Sequence, residues 1–284
     1  MNKLDRLVWA ATVAGRSHGV RIGVRVSDAA AMELVRPRLP PTWRETDDEV
    51  VDCIFSLVVG GPDPRTPSIK RYHVAYGDFL KLERQLELEP VLDALESHIG
   101  LFVAENAPRH VFVHAGVVGF EGKALVIPGK TFTGKSTLVA ALVRAGAEYY
   151  SDEFAVLDAK GRVHPYPRAL ALRDSTIRQY RLRPEEIGRV GRRPLPVGLV
   201  ISSTFKSGAR WRPRSLSPAE AAMAMLANTI PARGKPKEVL ASLARALAHT
   251  RALKGTRGEA DIVAPQLLEV LANQAGEPST KQEL

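Results

Sequence analysis

The chain has 284 residues, with 40 Lys plus Arg against 31 Asp plus Glu, and a formal net charge of +9. Hydrophobic residues make up 45% and charged residues 25%, which excludes a wholly disordered chain, a collagen and a coiled coil. The basic residues are scattered with no recognised motif, so the charge does not announce a nucleic-acid binder. No apolar run reaches the roughly 18 residues a membrane-crossing helix needs, and a cytoplasmic, membrane-free protein is expected. The single Cys53 rules out an intrachain disulfide and reads as a buried thiol.

The first 87 residues read as a β-rich N-terminal domain. Gly19–Val26 alternates with period two, and Asp52–Val59 is a second strand candidate. From residue 88 the period changes. Leu88, Val91, Leu92, Leu95, Ile99, Phe102 and Val103 recur at three and four, which predicts a helix over 88–106 ending at Pro108. The second domain is expected over 88–275, with that helix as its first element and 276–284 as a frayed tail.

Val111–Phe120 is β-branched and aromatic and predicts a strand. Glu121-Gly122 predicts a two-residue turn into a second strand, Lys123–Pro128. A helix is expected from Lys135 to about Gly146, then a third strand over Tyr149–Leu157. Further on, Leu195–Ser203 reads as a strand with Trp211–Leu216 as its partner. Ser217-Pro218-Ala219-Glu220 is a capping box opening a helix to about Asn228. Gly234-Lys235-Pro236-Lys237 reads as a linker into another helix, expected to about Leu253, and a last short one is expected over Val263–Asn273.

Gly129-Lys130-Thr131-Phe132-Thr133-Gly134-Lys135-Ser136 matches G-x-x-x-x-G-K-[ST], followed by Thr137. Glycines let successive backbone N–H groups turn toward phosphate oxygens, and the helix N-terminus adds partial positive charge. Lys135 reaches the β- and γ-phosphates and Ser136 offers a hydroxyl to Mg²⁺. Residues 129–137 are therefore candidate ATP contacts, with Phe132 shaping access.

Asp152 and Glu153 interrupt an otherwise apolar strand, where charges are costly unless paired or on metal. They read either as solvated acids of an edge strand or as a general base with a Lys or metal partner. Asp152 and Ser136 are the candidate metal positions. His114, on the strand before the loop, taken alone reads more readily as a satisfied core histidine than as a site residue. Arg173 is a candidate transition-state cation or an ordinary surface arginine.

The order His114-Ala115-Gly116-Val117, hairpin, Gly129–Ser136 loop, short helix and Ser151-Asp152-Glu153 resembles the catalytic domain of the HPr kinase/phosphorylase-related kinases, over about residues 110–173. The resemblance implies an α/β P-loop kinase domain of the HPr kinase and phosphoenolpyruvate carboxykinase type. It implies transfer of the γ-phosphoryl group of ATP, with Mg²⁺, to a Ser or Thr hydroxyl of a protein or peptide. Asp152 would be the base, His114 would lie close to it and Glu153 would support it. The chain carries Thr137 where the family usually has Glu, and lacks the family's later Arg-Gly-Leu-Gly stretch, so the reverse reaction is not implied. The alternative is a nucleotide-binding switch or scaffold with lost catalysis. The partner expected is a phospho-acceptor, with a second copy of the chain as a further option.

Overall fold

The structure, a computed structural model, describes residues 3–61, 70–129, 133–173 and 179–273. The chain is mixed α/β with several sheets and divides into two compact units, 1–109 and 110–284.

The first unit is a six-stranded sheet built from β1 (Ala11–Ser17), β2 (Val20–Val26), β3 (Arg44–Glu45), β4 (Cys53–Val58), β5 (His73–Gly77) and β6 (Leu80–Gln85). Its order is β3-β1-β2-β4-β5-β6. Pairing is antiparallel except for β2 with β4, which are joined across the short helix α1 (Ala30–Val35). The period-two run of β2 buries Val20, Ile22, Val24 and Val26. Cys53 is buried, and that burial pushes its thiol up to about 12.

The predicted helix is α2 (Leu88–Asn106), with Val91, Leu92, Leu95 and Ile99 buried. It packs on β5 and β6, and Phe102 meets Phe55 edge-on at 6.1 Å. Its apolar stripe is satisfied by the first sheet. The division therefore falls after Arg109, not before Leu88 as the change of period suggested. The expected tail 276–284 lies outside the described residues.

The second unit is an eight-stranded sheet flanked by helices. Its elements are β7 (Val111–Phe120), β8 (Lys123–Pro128), α3 (Lys135–Arg144), β9 (Glu148–Ser151), β10 (Phe154–Leu157) and β11 (Arg162–His164). They continue with a separate two-stranded ribbon, β12 (Leu170–Arg173) and β13 (Gln179–Leu182), and with α4 (Pro184–Ile187). The chain then forms β14 (Leu195–Phe205), β15 (Arg214–Ser215), α5 (Pro218–Leu226), α6 (Pro236–Leu247), β16 (Arg251–Arg257) and α7 (Ala260–Ala272). The order is β11-β10-β7-β8-β14-β16-β15, with β9 also on β7 and β11 also on the start of β14.

β7 and β8 form the predicted hairpin, Phe120 facing Lys123. Glu121 and Gly122 both take positive φ, 48° and 75°, the backbone such a two-residue turn requires. β8, β14 and β16 run parallel, so their C-terminal ends lie side by side at one edge of the sheet. Helices α3 and α7 cover one face, and α5 and α6 the other. Helix α5 begins with the predicted box. Glu220 N–H donates to Ser217 Oγ at 3.3 Å, and Ser217 N–H donates to Glu220 Oε2 at 2.9 Å.

Three expectations are corrected. The strand foreseen over Tyr149–Leu157 is two strands, β9 and β10, broken at Asp152-Glu153. Arg214–Ser215 pairs with β16 and not with β14. The helix foreseen to Leu253 stops at Leu247, and Arg251–Arg257 is the strand β16. There Thr250 Oγ1 lies within hydrogen-bond reach of the carbonyls of Ala246 (2.6 Å) and Val197 (2.8 Å), marking where the chain leaves the helix for the sheet. Among the described residues no helix is long and apolar enough to cross a membrane.

Candidate functional site

The site gathers where β8 ends and α3 begins. Gly134 is the N-cap of α3 with φ +77°, a left-handed backbone that favours glycine. Its carbonyl accepts the Leu138 N–H at 3.1 Å, the first helical bond. Lys135, Ser136 and Thr137 form the first turn, where unpaired N–H groups and the helix dipole favour an anion. The side chain of Lys135 is 6% exposed. Burial lowers its ammonium to about 8, while the nearby Asp152 and Glu153 pull it upward. Thr137 is exposed on the helix surface. Lys130, Thr131 and Phe132 lie outside the described residues.

Opposite Lys135 is the break between β9 and β10. Both strands lie antiparallel to β7, and the register shifts at Val117/Val118. That shift lies within β9, at Tyr150; Ser151 opposite Val117 and Phe154 opposite His114 keep one register across Asp152 and Glu153, and Ala115 donates its N–H to the Glu153 carbonyl at 3.0 Å. Glu153 and Phe154 both donate their N–H to Ser151 Oγ, at 3.1 and 3.0 Å, which fixes the turn. Ser136 Oγ donates to Asp152 Oδ2 at 3.0 Å. The Tyr149 hydroxyl lies 3.2 Å from Asp152 Oδ1 and 2.8 Å from the Arg168 carbonyl. Burial pushes the Asp152 carboxyl up, and the bonds from Ser136 and Tyr149 and the charge of Arg168 pull it back. Glu153 forms an ion pair with Arg168, whose side chain is 9% exposed.

His114 sits on β7 directly across from Phe154, its ring edge-on at 6.1 Å. Its backbone N–H donates to the Asn228 carbonyl at 2.7 Å, and its carbonyl accepts the Gly129 N–H at 3.2 Å. Burial and the charge of Lys135 lower its pKa, favouring a neutral imidazole. His114 thus braces the start of the Gly129 loop. The carboxylate of Asp152 is held instead by Ser136 and Tyr149. Two residues on from His114, Gly116 lets α3 approach β7, since a Cβ there would stand 2.6 Å from Val139 Cγ2.

Arg173 ends β12, its backbone facing Gln179, and its side chain lies outside the described residues. Tyr149, Arg168 and Arg257 carry no motif in the sequence, yet each touches this region. Arg257 Nη2 donates to the Gly134 carbonyl at 2.9 Å. A cleft of about 700 Å³ opens beside Gly129 and Thr133, between α5 and the ends of β14 and β16; Ser202, Met223, Asn228 and Lys254 help line it.

No protein-family model matches the chain, and no curated protein matches it. Among solved structures it is similar to the Hpr(Ser) kinase/phosphatase from Coxiella burnetii. The identity is 16%, over 58% of this chain and 95% of that one, with a TM-score of 0.28.

Proposed function

We propose that this protein is an ATP-dependent kinase of the HPr-kinase-related type, with a P-loop domain that transfers a phosphoryl group to a hydroxyl of a protein or peptide. The observation that carries the reading is the meeting of three groups. A buried lysine and a serine open a helix behind a G-x-x-x-x-G-K-S loop, and the serine donates to a buried carboxylate.

The donor set suits the ligands this function needs. Lys135 is a buried cation in the first turn of α3, where the helix N-terminus also favours a polyanion. Ser136 Oγ and Asp152 Oδ2, 3.0 Å apart, are hard oxygen donors of the kind Mg²⁺ takes together with phosphate oxygens and water. Bound there, Mg²⁺ would draw charge from the phosphate oxygens.

Within this reading the chain's own residues divide the work. The N–H groups of the loop and of the first turn of α3 orient the phosphates. Lys135 neutralises charge on the oxygens being transferred. Asp152 takes the acceptor's hydroxyl proton on a carboxylate oxygen. Tyr149 aims that carboxylate. Glu153, paired with Arg168, keeps the turn beside it rigid. The cleft beside Gly129 gives room for a part of a ligand that extends from the loop.

A second reading, a nucleotide-binding regulator without transfer, is favoured by Thr137 standing where the related kinases usually carry an acid. One experiment separates the two. The full chain is incubated with γ-labelled ATP and cell extract or candidate peptides, beside Asp152→Asn. Transfer that falls roughly two to four orders of magnitude in the variant, with ATP binding within a few-fold, supports the kinase. Undiminished transfer by the variant refutes the base. Nucleotide binding without transfer to any protein or peptide leaves the regulator.

A further inference from the structure

Arg257, the last residue of β16, is 2% exposed. Its Nη2 donates to the Gly134 carbonyl at 2.9 Å and its Nη1 to the Gly258 carbonyl at 3.1 Å. The guanidinium lies over the Phe205 ring, 5.3 Å from the centroid. Among the described residues its Nε has no hydrogen-bond partner and no carboxylate forms an ion pair with it. Glu259 is exposed and acts on it only through space, its own oxygens accepting from Ser207 Oγ and the Gly208 N–H.

Buried cations are normally paired, because desolvation is repaid only by a nearby anion or a full set of hydrogen bonds. Two neutral carbonyls and a ring face cannot supply a compensating charge. If the only task were to tie the end of β16 to Gly134, an uncharged amide would make a comparable bond without burying a charge. The tie lands on the residue whose left-handed backbone opens α3, the second glycine of the G-x-x-x-x-G-K-S loop. A Cβ on Gly134 would stand 2.6 Å from Arg257 Nη2, so the glycine also makes room for the guanidinium.

We propose that Arg257 is a positioning residue of this loop and its second cation. It fixes the Gly134 turn so that the helix N-terminus faces inward, and its charge is balanced when a polyphosphate binds. The proposal rests on the phosphate-loop reading above and adds to it a cation from a strand more than a hundred residues away in sequence.

The test titrates the full chain with inorganic tripolyphosphate and with ATP by calorimetry, for wild type, Arg257→Gln, Arg257→Lys and Lys135→Ala. Arg257→Gln is expected to bind tripolyphosphate at least about tenfold more weakly. The deficit should shrink as salt rises from about 50 to about 500 mM, because a charge is what was lost. Arg257→Lys keeps the charge and loses the planar fork, so it should bind more weakly than wild type and more tightly than Arg257→Gln. Binding by folded Arg257→Gln within about twofold of wild type, while Lys135→Ala is weakened, overturns the proposal and leaves the loop reading standing. If wild type binds neither probe, the loop reading falls and this proposal with it. Should Arg257→Gln fail to fold, folded Arg257→Lys decides: binding within about tenfold of wild type supports the charge role, and a greater loss overturns it.

Discussion

Ser136 Oγ donates a hydrogen bond to Asp152 Oδ2 at 3.0 Å. This bond joins the first turn of α3 to the break between β9 and β10, two segments that the chain supplies from opposite ends of one short helix. It makes Asp152 an acceptor, and so favours its ionised form, against the burial that favours the neutral one.

Lys135→Ala removes a buried ammonium beside Asp152 and Glu153. Affinity for ATP is expected to fall by roughly ten- to a hundredfold, the size of a charge-assisted bond. Calorimetry on a variant with wild-type circular dichroism measures it. Equal affinity in both proteins would remove Lys135 from the ligand's contacts.

Tyr149→Phe deletes the hydroxyl that reaches both Asp152 and the Arg168 carbonyl. The loss should cost about 1–2 kcal/mol of stability, read by denaturant titration. The bond from Tyr149 lowers the Asp152 pKa, so its removal raises that pKa further. A base must be ionised to act, and the acid limb of any transfer activity therefore moves to higher pH. A limb that stays in place would show that Tyr149 does not tune the carboxylate.

Gly116→Ala places a methyl 2.6 Å from Val139 Cγ2, where β7 and α3 are in close packing. Both sides are buried, so relief requires the helix to shift. A destabilisation of about 1–3 kcal/mol is expected. Thermal melting checks it, and an unchanged midpoint would mean that α3 sits more loosely on β7.

Asp158→Asn tests the turn between β10 and β11. Burial works to raise the Asp158 carboxyl, but bonds from the N–H groups of Lys160 and Arg162, from the Arg162 side chain and from His164 outweigh it and hold it at about 2. A carboxylate depressed in the folded state stabilises above its unfolded pKa. That stability is lost as pH falls through the folded value. The variant should therefore be about 1–2 kcal/mol less stable at neutral pH, with the difference closing between about pH 4 and pH 2. A gap that persisted at pH 2 would assign the effect to shape and not to charge.

The local signals in the sequence were strong where a turn or period acts alone. The β7–β8 hairpin, α2, α3 and the capped start of α5 all stand where their residues place them. The signals failed where a distant partner decides. Leu247–Leu253 contains neither glycine nor proline and continues a helical composition. Yet Arg251–Arg257 becomes a strand because β14 offers it a parallel edge. The Asp152-Glu153 acids were legible as an anomaly in an apolar run. That both carboxylates act on Lys135 was not legible, because it depends on where α3 sets that lysine beside the β9–β10 break. Tyr149 and Arg257 were invisible as site residues, since one reads as an ordinary strand aromatic and the other as a basic residue before a glycine. The helix 88–106 has the extent its period predicts and lies in the first unit, because an amphipathic stripe does not say which sheet it covers.

The break between β9 and β10 also separates what the core requires from what the site requires. The buried residues on either side, Tyr149, Tyr150 and Ser151 before it and Phe154 to Leu157 after it, are fixed by packing. The two positions between them belong to neither strand. Substitution there can change the number and kind of acidic groups facing Lys135 while the sheet keeps its pairing. The scaffold can therefore take on a different chemistry at Asp152 and Glu153, or lose it, without being rebuilt.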